Sequence, residues 1–315
     1  MKKRTEVLRP GSKEEWLKLR QAGIGSSEVA SIVGLNPFET KLQLWRRKMG
    51  IDVEREESFA MKAGHFLEDA VAKFWEDATG SEVIKRSAGD WISRDVERPY
   101  LQVSPDRTYW LSDKRGRNSA KGILECKTTQ REIDEEDLPK HWFCQLQYQL
   151  GVAGLERGSL AWLVQGRKFG YKEIDFVPSF FEWMCEAVGR FYEENIVGKK
   201  EPEMSSAEDV MLKYPRSEEG KSVEANGEVF ELYRKLKEVN GMIRSMDEDR
   251  KSLEEGIKMR LKDAECLTYC GDVLVRWKSD RGTMRFDEKS FREENPEMFS
   301  KYMKERKGVR RFVVR

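Results

Sequence analysis

The sequence predicts an α/β (α+β) fold with a C-terminal extension, on three observations. Helical apolar spacing up to Gly80 gives way to short strand-like runs and returns at Trp142. The stretch 122–129, GILECKTT, is an apolar run carrying an acid and a lysine two residues apart. From about Glu201 the chain passes through a Pro/Ser/Glu-rich link into a heptad-like helix. These features divide the 315 residues into a core over 1–200, a linker over 201–221 and an extension over 222–315.

Taken in order, Ser12 followed by Glu15 is a capping-box pattern for a short helix carrying Trp16 and Leu19, broken by Gly23 and Gly25. A second helix starts at Ser26 or Ser27 with Glu28 in its first turn, and GLNPF ends it. Phe59, Phe66, Leu67, Ala70, Val71 and Phe74 fall near helical spacing before Gly80, a natural C-cap. EVIKRSAGDWISR, YLQVSPDRTYWL and KGILECKTT then read as strands, and WFCQLQYQLGVAG as a helix. RGSLAWLVQGRKFGYKEIDFV is a hairpin turning at 165–167, followed by an amphipathic helix from Pro178. In the extension, apolar residues at 232, 236, 239, 243, 246, 253 and 257 predict a helical arm or hairpin more readily than an oligomer zipper, since Arg250 interrupts the seam. A β-hairpin, a short helix and a last strand, RRFVVR, complete the chain.

Charge is balanced, with 58 Lys+Arg against 57 Asp+Glu, so the total points to neither a nucleic-acid nor a membrane partner. Its distribution says more: between Lys301 and Arg315 seven basic residues face one acid, whereas 132–137 is mostly acidic. No run of 18 apolar residues occurs, and Met1-Lys2-Lys3-Arg4 is not followed by an apolar signal core, which predicts a soluble cytoplasmic protein without a membrane partner. Five cysteines at irregular positions fit free thiols rather than a disulfide framework.

In a strand, residues two apart share a face, so Glu125 and Lys127 project together while Cys126 points the other way. If the strand ending at Asp106 lies alongside, two carboxylates and an ammonium surround one point. Burying them unpaired would cost several kcal/mol, a cost that a divalent cation offsets. Oxygen ligands suit Mg²⁺ or Mn²⁺, which polarise a phosphoryl oxygen and acidify a bound water, so the chemistry indicated is phosphodiester hydrolysis. The competing reading is a structural Glu125–Lys127 pair at a strand end.

The order Glu68, Pro105-Asp106, Glu125-x-Lys127 and Gln145, with GIGSSEVASIVGLNPF, AGHFLEDAVAKFWEDATG and WFCQLQYQL around it, resembles the PD-(D/E)xK nuclease superfamily. More narrowly it resembles the YqaJ-like viral recombinase family, the phage lambda-type alkaline exonucleases, over about residues 16–196. The resemblance implies a restriction-endonuclease-like core, a central mixed β-sheet flanked by helices. It implies a catalytic set of Asp106, Glu125, Lys127, Glu68 and Gln145. Asp106, Glu125, Glu68 and the Cys126 backbone carbonyl would hold two Mg²⁺ ions, with Mn²⁺ as a substitute. His65, one turn before Glu68, is a further candidate ligand, and an ordinary solvated helical glutamate is the plain alternative for Glu68 itself. Arg20 and Ser27 match the grip on a terminal 5′-phosphate, although Ser27 also reads as a plain N-cap. The gap from Asp106 to Glu125 is longer than in compact relatives and carries Arg107, Lys114, Arg115, Arg117 and Lys121, either a DNA-touching basic hairpin or a surface insertion.

The implied function is a metal-dependent DNA exonuclease that digests linear double-stranded DNA from a 5′-phosphorylated end and leaves 3′ single-stranded overhangs for recombination. The implied partners are duplex DNA ends, a single-strand annealing protein and two further copies in a homotrimer, in a bacterial cell carrying the phage or prophage. A structure-specific or restriction-like DNA endonuclease is the alternative, and a non-cleaving DNA-binding or partner-docking module a second one.

Overall fold

The computed structural model describes residues 5–52, 58–84, 92–111, 121–304 and 308–314. Lys114, Arg115 and Arg117 lie outside the described residues, as do 305–307 and 315 of the basic tail. The chain forms two units, 1–213 and 214–315.

The first unit opens with strand β1 (Thr5–Leu8) and three helices, α1 (Lys13–Ala22), α2 (Ser26–Ile32) and α3 (Lys41–Lys48). Ser12 caps α1 through its hydroxyl and Glu15 N. Helix α2 starts at Ser26, one of the two starts expected, but its N-cap is Gly25 rather than Ser27: the Glu28 carboxylate reaches back to Gly25 N at 2.8 Å and supplies the missing acceptor. Helix α3, which the sequence reading left inside the opening segment, carries its own capping box between Thr40 and Gln43.

The long helix α4 (Phe59–Thr79) ends at Gly80, whose φ of 68° is the left-handed conformation glycine supplies without strain. It buries Val71, Ala72 and Trp75, whereas Phe59 and Phe66, both assigned to its apolar spacing, are 86% and 84% exposed. Short strands β2 (Val83–Ile84), β3 (Ile92–Asp95), β4 (Gln102–Val103) and β5 (Arg107–Trp110) precede the nine-residue β6 (Lys121–Thr129). Helix α5 (Lys140–Ala153) crosses to β7 (Arg157–Val164), and β8 (Lys168–Asp175) returns through a turn in which Gln165 and Gly166 both have positive φ, as a type I′ turn requires.

The central sheet has the order β2-β5-β6-β7-β8, with β6 and β7 parallel and every other pair antiparallel. It is a mixed sheet flanked by helices, as the resemblance implied. A second sheet, β1-β3-β4, takes the segment read as one strand through Asp106 and divides it: β4 ends at Val103 in that sheet, while β5 starts at Arg107 in the central one. Asp106 therefore directly precedes a strand rather than ending one, at the bend where the chain changes sheets.

Alternation along β6 sorts its side chains. Leu124 and Cys126 join Val71, Trp75, Ala161 and Leu163 on the α4 side. Ile123 joins Leu146, Leu150, Leu160 and Trp162 on the α5 side. Fully buried side chains of these two layers, with a third cluster between α2, α5 and the helix α6 (Pro178–Arg190), make the core. A π-helical segment, Phe191–Val197, extends α6. Part of the stretch read as linker is helix α7 (Ala207–Lys213), anchored by the buried Asp209, which accepts the Thr40 hydroxyl at 2.6 Å and Ser205 N at 2.8 Å.

The second unit holds the 35-residue α8 (Gly227–Leu261), the hairpin β9 (Cys266–Tyr269) and β10 (Asp272–Arg276), and α9 (Glu288–Glu294) and α10 (Pro296–Tyr302). The single short helix expected here is two, because Pro296 forces Asn295 out of helical geometry and starts a new turn. The last strand expected at RRFVVR is absent from its described residues; the hairpin sheet consists of β9 and β10 alone. Along α8 the seam positions Leu232, Val239, Ile243, Met246 and Leu253 are exposed. All five cysteines are free, with Cys126, Cys144 and Cys185 buried and Cys270 exposed. Among the described residues no helix is long and apolar enough to cross a membrane.

Candidate active site

Glu125 and Lys127 project from the α5 side of β6. Lys127 Nζ donates to Glu125 Oε1 at 2.7 Å and to Gln145 Oε1 at 2.9 Å. Gln145 Nε2 also donates to Glu125 Oε1, and Gln149 Nε2 to Glu125 Oε2 at 2.8 Å. Gln145 and Gln149 are one helical turn apart, so one stripe of α5 faces the strand. His141 stands a turn earlier on that stripe, with a pKa lowered by burial and then by the Lys127 charge.

Asp106 enters from the start of β5. The register Arg107↔Leu124 sets it beside β6, and its Oδ2 accepts Cys126 N at 2.9 Å. Three of the expected residues thus meet on adjacent strands, and Gln145 joins them from α5. Glu125 is 1% exposed. Burial, with Asp106 second, pushes its pKa up to about 7, and Lys127 only partly offsets this. Burial opposes the Lys127 charge most strongly, but Glu125 and Asp106 outweigh it and hold the ammonium above its ordinary pKa.

Two carboxylates and an ammonium stand together here, Lys127 at 2.7 Å from Glu125 and Asp106 just before the neighbouring strand. Their hard oxygen donors fit a divalent cation of the Mg²⁺ or Mn²⁺ type. Among the described residues no group of three or more His, Cys, Asp or Glu side chains could hold an ion, so Glu68 does not complete a three-ligand cluster with Asp106 and Glu125. Glu68 sits on α4, with Oε1 2.9 Å from His65 Nδ1 and Oε2 3.8 Å from the Arg107 guanidinium. Arg107 in turn donates to the Asp106 carbonyl at 2.6 Å and pairs with Asp69. It frames the site, tying α4 to the start of β5.

The expected end-binding pair forms a separate cluster at the start of α2. Arg20 NH2 stands 3.4 Å from Ser27 Oγ, and the guanidinium lies over the Trp16 ring at 4.8 Å. Beneath it, Glu28 meets Lys48 Nζ at 2.8 Å and Arg47 at 3.2 Å, and Lys48 also donates to the Gly23 carbonyl at 2.5 Å. Lys48 has only 4% of its side chain exposed, and burial lowers its pKa below the ordinary lysine value despite Glu28.

Sequence reasoning missed Lys48, Glu28 and Gln149. Gln149 had a usable signal, its four-residue spacing from Gln145. Lys48 had none, because its burial depends on how α3 packs under the Gly23–Gly25 bend.

Residues 15–156 match the model of the YqaJ-like viral recombinase domain. The chain is 33% identical to the protein YqaJ of Bacillus subtilis (strain 168), over 99% of this chain and 98% of that one. Among solved structures it is similar to an alkaline exonuclease from Laribacter hongkongensis, with 17% identity, a TM-score of 0.43, and coverage of 64% of this chain and 96% of that one. A phage-related exonuclease from Haemophilus somnus 129PT matches with 12% identity and a TM-score of 0.40, over 59% of this chain and 100% of that one.

Proposed function

This chain belongs to the YqaJ-like viral recombinase family, and we propose that it is a metal-dependent exonuclease that degrades linear double-stranded DNA from a 5′-phosphorylated end and leaves a 3′ overhang. The observation that carries the reading is the buried Glu125 carboxylate with Lys127 and Gln145 on one of its oxygens and Asp106 beside it.

In this reading Asp106 and Glu125 would hold the cation, with the Cys126 carbonyl as a further ligand, and Glu68 would hold a second ion. Mg²⁺, or Mn²⁺ in its place, supplies Lewis-acid polarisation of the phosphoryl group when bound. Lys127, hydrogen-bonded to Gln145 and Glu125, would orient the attacking water and offset the negative charge that develops as its oxygen adds to phosphorus. Gln145 holds the ammonium so that it remains aimed at that water. Arg20 and Ser27 receive the terminal phosphate at the N-terminus of α2, where a guanidinium, a hydroxyl and helix amides combine into an anion site. Binding the end there fixes which linkage reaches Lys127, so the direction of digestion follows from the position of the phosphate site. Lys121 and the basic tail contribute sequence-independent backbone contacts. The partners proposed are duplex ends, a single-strand annealing protein that takes the overhang, and a homotrimer with a mass three times 36.9 kDa by light scattering.

The test is digestion of end-labelled linear duplex beside covalently closed circles, with and without EDTA. Loss of the linear substrate alone, abolished by EDTA and lowered at least about 10³-fold by Asp106→Asn or Lys127→Ala, is the expected result. Equal cutting of closed circles would replace the exonuclease reading with an endonuclease.

A further inference from the structure

Gln149 is wholly buried in the third turn of α5, and its one amide nitrogen bridges the two clusters. Its Nε2 donates to Glu125 Oε2 at 2.8 Å and to Ser26 Oγ at 3.2 Å. An amide nitrogen carries two hydrogens, so these bonds use both. The orientation is fixed by charge: turning the amide over would set its carbonyl against the Glu125 carboxylate. Its own Oε1 is buried with no hydrogen-bond partner among the described residues. An unsatisfied buried carbonyl costs stability that an apolar side chain of the same length would avoid, so this residue does not serve packing alone.

The rest of the Glu125 carboxylate shows what Gln149 controls. Oε1 already accepts Lys127 Nζ and Gln145 Nε2, which fills both of its in-plane acceptor directions. Oε2 accepts from Gln149 and keeps one direction open. The atom of Glu125 left to meet a cation is therefore Oε2, and Gln149 aims it. With its second hydrogen the same nitrogen holds Ser26, the first residue of α2, directly before Ser27.

We propose that Gln149 is a positioning residue that couples occupancy of the phosphate site at the start of α2 to cation binding at Glu125. The proposal rests on the reading of Glu125 as a metal ligand and of Arg20 and Ser27 as the phosphate site. When a terminal phosphate settles the first turn of α2, Ser26 holds the amide, and the amide holds Oε2 in its ligating direction. Linkage makes the effect reciprocal, so a 5′-phosphorylated end tightens the cation and the cation tightens that end.

The experiment measures Mn²⁺ binding to the full chain by electron paramagnetic resonance. It uses saturating duplex whose first linkages are non-hydrolysable and whose 5′ end carries either a phosphate or a hydroxyl. Wild type is expected to bind Mn²⁺ at least fivefold more tightly with the phosphate end. Gln149→Met and Ser26→Ala, each checked for a cooperative melt, should reduce that ratio below twofold. Ser26→Ala leaves every Glu125 contact in place and decides the matter alone if Gln149→Met does not fold. A wild-type ratio below twofold overturns the coupling while leaving the metal reading intact, as does a fivefold ratio that survives in Ser26→Ala. Wild type that binds no Mn²⁺ with either duplex overturns the metal reading, and the coupling falls with it.

Discussion

Two charged clusters are bridged by the one amide nitrogen of Gln149, and burial acts in them on groups of opposite sign. At the start of α2, Arg20, Arg47 and Lys48 surround Glu28 and Glu39, three cations to two acids. Against β6, Asp106 and Glu125 face Lys127. In both places burial is the largest influence on the central group: it lowers the Lys48 pKa and raises that of Glu125. The first cluster nearly closes its own ion pairs and keeps a positive remainder that suits a phosphate. The second gathers buried carboxylate oxygens, hard donors that suit a metal ion. The two clusters thus differ in the sign of the group that burial acts on, an ammonium at α2 and a carboxylate at β6.

The largest effect expected from breaking the comparison is on the chemistry. Lys127→Ala should lower the rate constant for cleavage at least about 10³-fold, equivalent to about 4 kcal/mol, with little change in the binding of duplex ends by gel shift. Next, Lys48→Met leaves the buried Glu28 with the half-exposed Arg47 as its cation and the Gly25 amide as its other partner, and should cost about 3–5 kcal/mol in urea unfolding. The double variant with Glu28→Gln should recover a large part of that loss, because it removes the stranded charge. An additive double variant would show that the two are not a closed pair.

A third effect comes from Glu125 and has a defined sign. Its folded pKa, about 7, lies above the ordinary 4.5, so the stabilisation tied to its proton is complete below about pH 4.5 and is lost as pH rises through 7. Metal-free wild type should therefore lose more stability between pH 5 and pH 8 than Glu125→Gln does, by about 2–3 kcal/mol at 1.36 kcal/mol per pKa unit. Mg²⁺ added at pH 8 should raise the melting temperature of wild type and not of the variant. Parallel pH curves for the two proteins would show that burial does not hold the proton on Glu125.

What the sequence disclosed follows the reach of each signal. The period of a strand put Glu125 and Lys127 on one face, and the order of short motifs put Asp106 and Gln145 near them; these depend on neighbours in the chain or on β5 and β6 lying side by side. Helix ends were legible where a side chain caps its own turn, as at Ser12, and at the start of α2 the first residue, Ser26, was legible but the cap was not, since Gly25 rather than Ser27 is the N-cap and Glu28 reaches back to it from inside the helix. The division of 100–111 between two sheets was not legible, because sheet membership is decided by β3 and β6 rather than by the segment itself. Phe59 and Phe66 fit a helical stripe yet stand exposed, since the buried stretch of α4 is set by where β6 and β7 pass beneath Val71 and Trp75. The buried roles of Lys48 and Gln149 required the tertiary packing of α3 and α5.

The smallest effect tests the anion half of the comparison, and it turns on geometry rather than charge. Arg20 lies over the Trp16 ring with one amino group toward Ser27, and its fork can give a phosphate two parallel hydrogen bonds, whereas a lysine offers a point charge on a flexible stem. Arg20→Lys keeps the charge count of the α2 cluster and removes the fork. Activity on 5′-phosphorylated ends should then fall about tenfold more than activity on 5′-hydroxyl ends, a difference of about 1.4 kcal/mol, with the change in KM rather than in kcat. Equal losses on the two ends would mean that Arg20 supports the fold around Trp16 and that the positive remainder at α2 receives something other than the terminal phosphate. A tenfold loss confined to phosphorylated ends would separate the two clusters by ligand as well as by sign.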